Sequence, residues 1–242
     1  MTGLKSPFLT VPRFAAVPGL VHGFGRGAWT ESDFLAFAEG RGLKTVIMRQ
    51  LHADAVHRLA AAPSRKLEGD ALVTNVPGFL LVIRTADCLP VLLVDEPNRA
   101  VAAVHCGWRG TQERVLEKAV RAMGEAYGSR PEETLAALGP CIGAACYEVG
   151  PEVRSGYLRA GFPAAVFAVR GHAPGADASL QPPKYLLDLR AANAWLLETL
   201  GFVRANVFNA GPVCTHCEPR LLSYRRNRTD PRRMFNFIGL SS

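Results

Sequence analysis

Long apolar runs are missing from these 242 residues. No uninterrupted stretch approaches the roughly 18 residues of a membrane-crossing helix, so no membrane partner is expected. There is no long polar tract, which argues against a disordered chain. No internal repeat and no linker divide the sequence, and a single domain over 1–242 is expected. Cysteine is sparse: six residues are too few for a disulfide scaffold at this length, so free thiols or ligands in a reducing compartment are expected. The opening MTGLKSPFLTVPRF has one lysine, no apolar core and no cleavage signal. It reads as mature protein, and the cytoplasm is the expected location.

Acidic residues are in deficit, with 21 Asp and Glu against 28 Lys and Arg and a net charge of +7. The excess is local. RLLSYRRNRTDPRR (220–233) holds six arginines against one aspartate. Such a patch suits a solvated turn, a pocket for phosphate, or nucleic acid. No zinc finger, Walker loop or RNP-like strand supports the last, and nucleic acid is not expected as a partner.

What is present is 48% hydrophobic residues, enough for one substantial core. ESDFLAFAE (31–39), TQERVLEKAVRAMGEAY (111–127), Pro151 to residue 160 and YLLDLRAANAWLLETLG (185–201) read as helices. Strands are expected at 45–52, through GDALVTNVPGFLLVIRTADCLPVLLVDEPNRAVAAVHCG, and at TLAALG, 165–169, ANVFNA and RRMFNFIGL. HGFGRG (22–27) reads as a glycine-punctuated loop and GHAPGADASLQPPK (171–184) as a mobile one. Strands outnumber crossover helices, which predicts an α/β fold of α+β type with mixed sheets flanked by helices.

Chemistry gathers at the ends of the strand-like runs. His52, Cys88 and His105 each follow one. Two imidazoles and one thiolate with a fourth position open suit a catalytic zinc ion. The same residues also read as two core histidines and a buried thiol. Two further arrangements compete: Cys88 with His105 as a nucleophilic pair oriented by Asp87, and Cys214-Thr-His216-Cys217 as a metal or redox motif lacking a second CxxC.

VTNVPGFLLVIRTADCLPVLLVD, VAAVHCGWRGT, LGPCIGAACYEVG and CTHCEPRLLSYRR occur in this order. Together they resemble a bacterial family long described as multicopper polyphenol oxidase (laccase). Its members are now regarded as zinc-dependent purine nucleoside phosphorylases with adenosine deaminase activity. The resemblance runs from about His22 to Phe237. It implies a layered sandwich related to cysteine-hydrolase-like toxin domains, and a monomer. It also implies metal ligation by His52, Cys88 and His105. The implied activities are cleavage of adenosine, inosine, guanosine and methylthioadenosine with phosphate, and deamination of adenosine. Two positions depart from the pattern, Cys106 and Cys141, where small residues are usual. Either thiol could compete for metal.

The mechanism this suggests uses zinc to polarise a water, phosphate or purine atom. Arg109, Arg26 and Arg225 are the candidates for phosphate or nucleoside binding. Asp87 is the candidate proton-transfer or supporting group, and Cys88 carries the metal. Two alternatives stay open. One is a copper-dependent phenol oxidase, which needs more histidines than the six present. The other is a non-enzymatic nucleotide- or cell-wall-related module.

Overall fold

The computed structural model describes residues 6–170, 183–211 and 213–241. Its elements in chain order are β1 (Phe8–Leu9), α1 (Pro12–Ala15), β2 (Leu20–Gly25), α2 (Glu31–Glu39), β3 (Lys44–Ile47), β4 (Val56–Arg58), β5 (Ala71–Thr74), β6 (Phe79–Thr85), β7 (Leu89–Asp95) and β8 (Ala100–Cys106). These are followed by α3 (Trp108–Gln112), α4 (Val115–Tyr127), β9 (Leu135–Leu138), β10 (Glu148–Val149), α5 (Pro151–Arg159), β11 (Phe167–Arg170), β12 (Lys184–Leu187), α6 (Leu189–Thr199), β13 (Val207–Asn209) and β14 (Met234–Leu240).

One sheet runs β1-β2-β14-β6-β3 and another β13-β9-β7-β8-β5-β4, with a small third sheet β10-β12-β11. β3 on β6, β4 on β5 and β13 on β9 are parallel; the remaining pairs are antiparallel. The mixed sheets expected from the sequence are therefore present.

Side-chain alternation explains the layering. In β7, Leu89, Val91 and Leu93 face a core shared with Leu116, Ala119 and Met123 of α4 and Leu196 of α6. Leu92 and Val94 point the other way, onto Leu81 and Ile83 of β6, Phe24 and Ile238. Both faces of the six-stranded sheet are thus covered, which is why its strands read as unbroken apolar runs rather than as alternation. The far face of the five-stranded sheet packs Leu80, Val82, Phe235 and Phe237 under Phe34 and Ala38 of α2. The order of layers is helix, sheet, sheet, helices. α2 starts at a reciprocal cap between Thr30 and Asp33.

Three expectations need correction. HGFGRG is largely strand, not loop: β2 runs to Gly25 and pairs with β14 and β1. Its glycines serve close packing, since a Cβ on Gly23 would lie 2.7 Å from Phe237 Cζ. The helix expected over 111–127 is split by Arg114, which takes φ +61° between α3 and α4. Its guanidinium is anchored on the Ala160 carbonyl and on Glu117. The helix expected from 185 begins only at Leu189. Lys184–Leu187 pairs as β12, and the Asp188 carboxylate accepts the Ala191 N–H at 2.8 Å to start α6. The expected loop at 171–184 lies outside the described residues except for its last two positions.

Gly23→Ala should therefore destabilise by about 1–3 kcal/mol, because the new methyl has no room against the Phe237 ring and Phe8 Cβ. Thermal unfolding measures it; an unchanged midpoint would contradict this packing account.

Candidate metal centre

Strand register brings the site together at one end of the two large sheets. Leu89 pairs with Cys106 and Pro90 with His105, so Cys88, at the bend where the chain leaves β6 for β7, lies beside His105. His52 arrives on the segment between β3 and β4. The three ligand atoms all lie within 4.8 Å of one another. The two imidazole rings are nearly perpendicular, 83° apart, with centroids 4.9 Å apart. His105 is buried, Cys88 half-buried and His52 exposed, so the group opens to one side.

Asp70, fully buried just before β5, organises the group. Its Oδ1 accepts from His105 Nδ1 at 2.7 Å and from the His52 N–H at 3.0 Å. Its Oδ2 accepts the N–H groups of Ala53 at 2.8 Å and Leu51 at 3.2 Å. One carboxylate thus fixes the His105 ring and folds the backbone that carries His52, which sits at φ +58°. Holding Nδ1 leaves His105 Nε2 as its free ligand atom.

The glycines of HCGWRG now have a reason. A Cβ on Gly107 would lie 3.3 Å from both Cys88 Sγ and His52 Cδ2, and one on Gly110 would lie 2.8 Å from the Ala53 carbonyl. A side chain at 110 would collide with backbone, and one at 107 would crowd the ligand groups, so glycines let the start of α3 lie close to the site.

Burial pushes the Cys88 thiol up, but the charges and hydrogen bonds of His105 and His52 outweigh it and bring it down to about 6. Burial pulls His105 down, and the Cys88 thiolate and Asp70 overcome that, raising it to about 9. Between these values the metal-free site is a thiolate–imidazolium pair. Cys106 and Cys141 differ. Burial drives Cys106 well above its usual range and Cys141 up to about 12. Cys106 points into the helix-side core, and neither joins a ligand group among the described residues. The expectation that they compete for metal finds no geometric support.

In metal-free protein, Cys88 should therefore alkylate with a rate that climbs as pH rises through about 6. Cys106 and Cys141 should stay inert at those pH values. Mass mapping of iodoacetamide adducts reads both; a Cys88 midpoint near that of an ordinary thiol would contradict the pairing.

The group opens onto a cleft of about 770 Å³. Arg49, Arg84, Arg225, Arg228 and Arg233 line it, with Trp108, Tyr147 and Tyr224. Among the expected site residues, His52, Asp87, Cys88, His105 and Arg225 all reach this cleft; Arg26 and Arg109 do not line it. Arg109 lies over the Trp108 ring at 4.8 Å. Arg26 lines a small separate depression beside Gly25 and Gly27.

Asp87 is committed to holding the chain. At φ +92°, it accepts the Thr215 hydroxyl at 2.6 Å and the Arg225 N–H at 2.7 Å, and its carbonyl accepts the Ile142 N–H at 2.9 Å. These contacts impose a backbone geometry that non-glycine residues rarely adopt. Gln50 similarly exchanges two hydrogen bonds with the Arg84 backbone, at 2.7 and 2.9 Å.

Sequence reasoning missed Asp70, Arg84 and Arg228. The signal for Asp70 was a lone carboxylate directly before the fully buried run ALVT. That for Arg84 was a lone cation inside LLVIRTADC.

A family described as "Multi-copper polyphenol oxidoreductase laccase" matches residues 32–241. "Purine nucleoside phosphorylase YfiH" of Shigella flexneri is 37% identical over 199 residues, covering 81% of this chain and 74% of that protein. "Adenosine deaminase RL5", from an unknown prokaryotic organism, is 39% identical over 153 residues, covering 63% of this chain and 55% of that protein. A solved Neisseria meningitidis protein superposes with a TM-score of 0.80 at 27% identity, over 98% of this chain and 100% of that one. The layered fold, the match from α2 to β14 and the YfiH relatives agree: this chain belongs to the YfiH family of purine nucleoside phosphorylases, whose older description is that of a laccase.

Proposed function

We propose that this chain is a zinc-dependent purine nucleoside phosphorylase that also deaminates adenosine. The observation that carries the reading is the convergence of one thiolate and two imidazoles beside an arginine-lined cleft. The donor set fits zinc: two nitrogens and a sulfur from protein with an open side. A zinc ion held by His52, Cys88 and His105 supplies Lewis acidity and an activated water.

The chain's own groups do the rest. Asp70 holds the His105 proton on Nδ1. The guanidinium groups of Arg84 and Arg228 have no hydrogen-bond or ion-pair partner among the described residues and are available to a phosphate oxyanion. Arg225 lies over Tyr147 at 5.4 Å and gives one N–H to the Glu148 carbonyl at 3.1 Å, which fixes its position on the cleft wall. Trp108, Tyr147 and Tyr224 offer faces to a purine ring. Arg109 acts through Trp108, and Asp87 by positioning Arg225, rather than by touching substrate. The free thiols favour a reducing cytoplasm, and we take the protein to act as a monomer. Among the described residues, no helix is long and apolar enough to cross a membrane.

A second reading is favoured by one observation: Cys88, His105 and Asp70 also align as thiolate, imidazolium and carboxylate, the order of a cysteine hydrolase. This alignment accords with the expected relation to cysteine-hydrolase-like toxin domains. Copper oxidase chemistry has less support. His22 accepts the Val11 N–H and His57 contacts the Glu68 carbonyl, both away from the site.

Inosine phosphorolysis before and after chelation decides between these readings. Loss on chelation and return with zinc supports the proposal; activity that persists in the chelated protein favours the cysteine nucleophile. Arg84→Met should raise the KM for phosphate about tenfold to a hundredfold, the value of a charged hydrogen bond, and leave the KM for inosine nearly unchanged. An unchanged phosphate KM would remove Arg84 from the anion site.

A further inference from the structure

We propose that Cys146, Cys214 and Cys217 form a second ion site, for a thiophilic d10 cation such as Zn²⁺ or Cu⁺. Their three sulfurs lie within 4.8 Å of one another, and Cys146 Sγ is 3.4 Å from Cys217 Sγ. At a metal–sulfur distance of about 2.3 Å, sulfurs sharing one ion sit roughly 3.8 Å apart. A disulfide would need about 2.05 Å and would leave the third thiol unused. The spacing here is that of shared ligation. Core filling does not account for the group either, because Cys217 is exposed and the other two are only partly buried.

The surroundings are built for close approach. Cys214 and Cys217 share one turn, with the N–H groups of Cys217 and Glu218 donating to the Cys214 carbonyl at 3.2 and 2.9 Å. Arg226 donates to the carbonyls of Thr215 and His216 at 2.7 and 3.0 Å, which stiffens that turn. Cys146 comes from a loop about 70 residues earlier, whose Gly143 N–H donates to Cys214 Sγ at 3.1 Å. A Cβ on Gly143 would lie 3.1 Å from Cys214 Cβ and 3.3 Å from its sulfur. Soft thiolates select d10 ions over hard cations, and the exposed side at Cys217 leaves room for water as a fourth ligand.

The consequence is mechanical. Thr215, between the two ligands of the turn, donates to Asp87, and Asp87 also holds the Arg225 N–H. An ion at the triad pins the strap that sets Arg225 on the cleft wall, some distance from any substrate.

Elemental analysis of desalted full-length protein tests this, after loading with Zn²⁺ or, anaerobically, with Cu⁺, together with alkylation mapping. Wild type should hold two ions per chain in at least one arm, and that arm identifies the cation. Cys217→Ser and Cys146→Ser should each lose one ion, and Cys88→Ala should lose the other. In wild type, the loaded triad should alkylate at least tenfold more slowly than the stripped triad. This readout needs no variant to fold. If the centre at His52, Cys88 and His105 held no ion, wild type would bind one, Cys217→Ser none and Cys88→Ala one, so the two sites fail separately. Equal metal content in Cys217→Ser and wild type, with no protection of the triad by either cation, would overturn the proposal. So would recovery of Cys146 and Cys217 as a disulfide from metal-loaded protein.

Discussion

Cys88→Ala is expected to lower inosine phosphorolysis by roughly a thousandfold or more, equivalent to about 4 kcal/mol of Lewis-acid stabilisation lost from the transition state. Alanine removes the one sulfur among the first three ligand atoms. Two imidazoles alone bind zinc weakly beside a competing buffer, so the purified variant should lack the corresponding ion as well as the activity. The fold should survive, since Cys88 is only half-buried and its neighbours Leu89 and Pro90 keep their pairing with β8. Steady-state rates and metal content should fall together while the circular dichroism spectrum is retained. A variant with wild-type turnover would mean that the reaction does not pass through this group.

Asp70→Asn is expected to produce the other large effect, and on two properties at once. The carboxylate accepts four donors, two on each oxygen. An asparagine keeps one oxygen, so whichever way it turns, its amide nitrogen faces two N–H groups that lose their acceptor. In this fully buried position the expected loss of stability is about 3–5 kcal/mol. Metal affinity should weaken about 10–100-fold, because the His105 ring loses the partner that orients it.

The difference from wild type depends on pH in a definite direction. The Asp70 carboxyl lies below its usual 3.8. Burial alone would raise it, but His105 and the backbone N–H donors more than compensate. Its contribution is therefore present above 3.8 and lost as pH falls through the lower native value. His105 is raised from 6.5 to about 9, so its contribution is complete below 6.5 and fades as pH climbs through 9. The stability gap between variant and wild type should be widest between those limits and narrow in alkali. Denaturant titrations at several pH values measure it. A gap that is flat with pH would mean that the Asp70–His105 ion pair does not form.

Parts of this architecture can be read in the sequence because they repeat a simple period. α2, α5 and the long apolar strands follow from capping residues, a leading proline and unbroken hydrophobic runs. What escaped is tertiary. The glycines of β2 look like turn residues, and only the neighbouring β14 shows why they must be small, through the Phe237 ring at Gly23 and the Phe235 backbone at Gly25. Arg114 has ordinary helix propensity, yet its anchor on Ala160 turns the chain there. At the centre, three ligand residues could be picked out as candidates. The carboxylate that fixes two of them could not, because one aspartate before a strand carries no periodic signal until its four donors are seen. Arg225 and Arg228 belong to one arginine-rich strap visible in the sequence, whereas Arg84 became a candidate only when the cleft brought its separate segment beside that strap.

The most direct measurement is phosphate-dependent release of hypoxanthine from inosine by zinc-loaded wild-type protein, repeated after chelation and again after zinc is restored. Turnover should require phosphate, vanish with the metal and return with it. Release that is indifferent to chelation, or no release from a fully zinc-loaded and folded protein, would contradict the zinc-dependent reading.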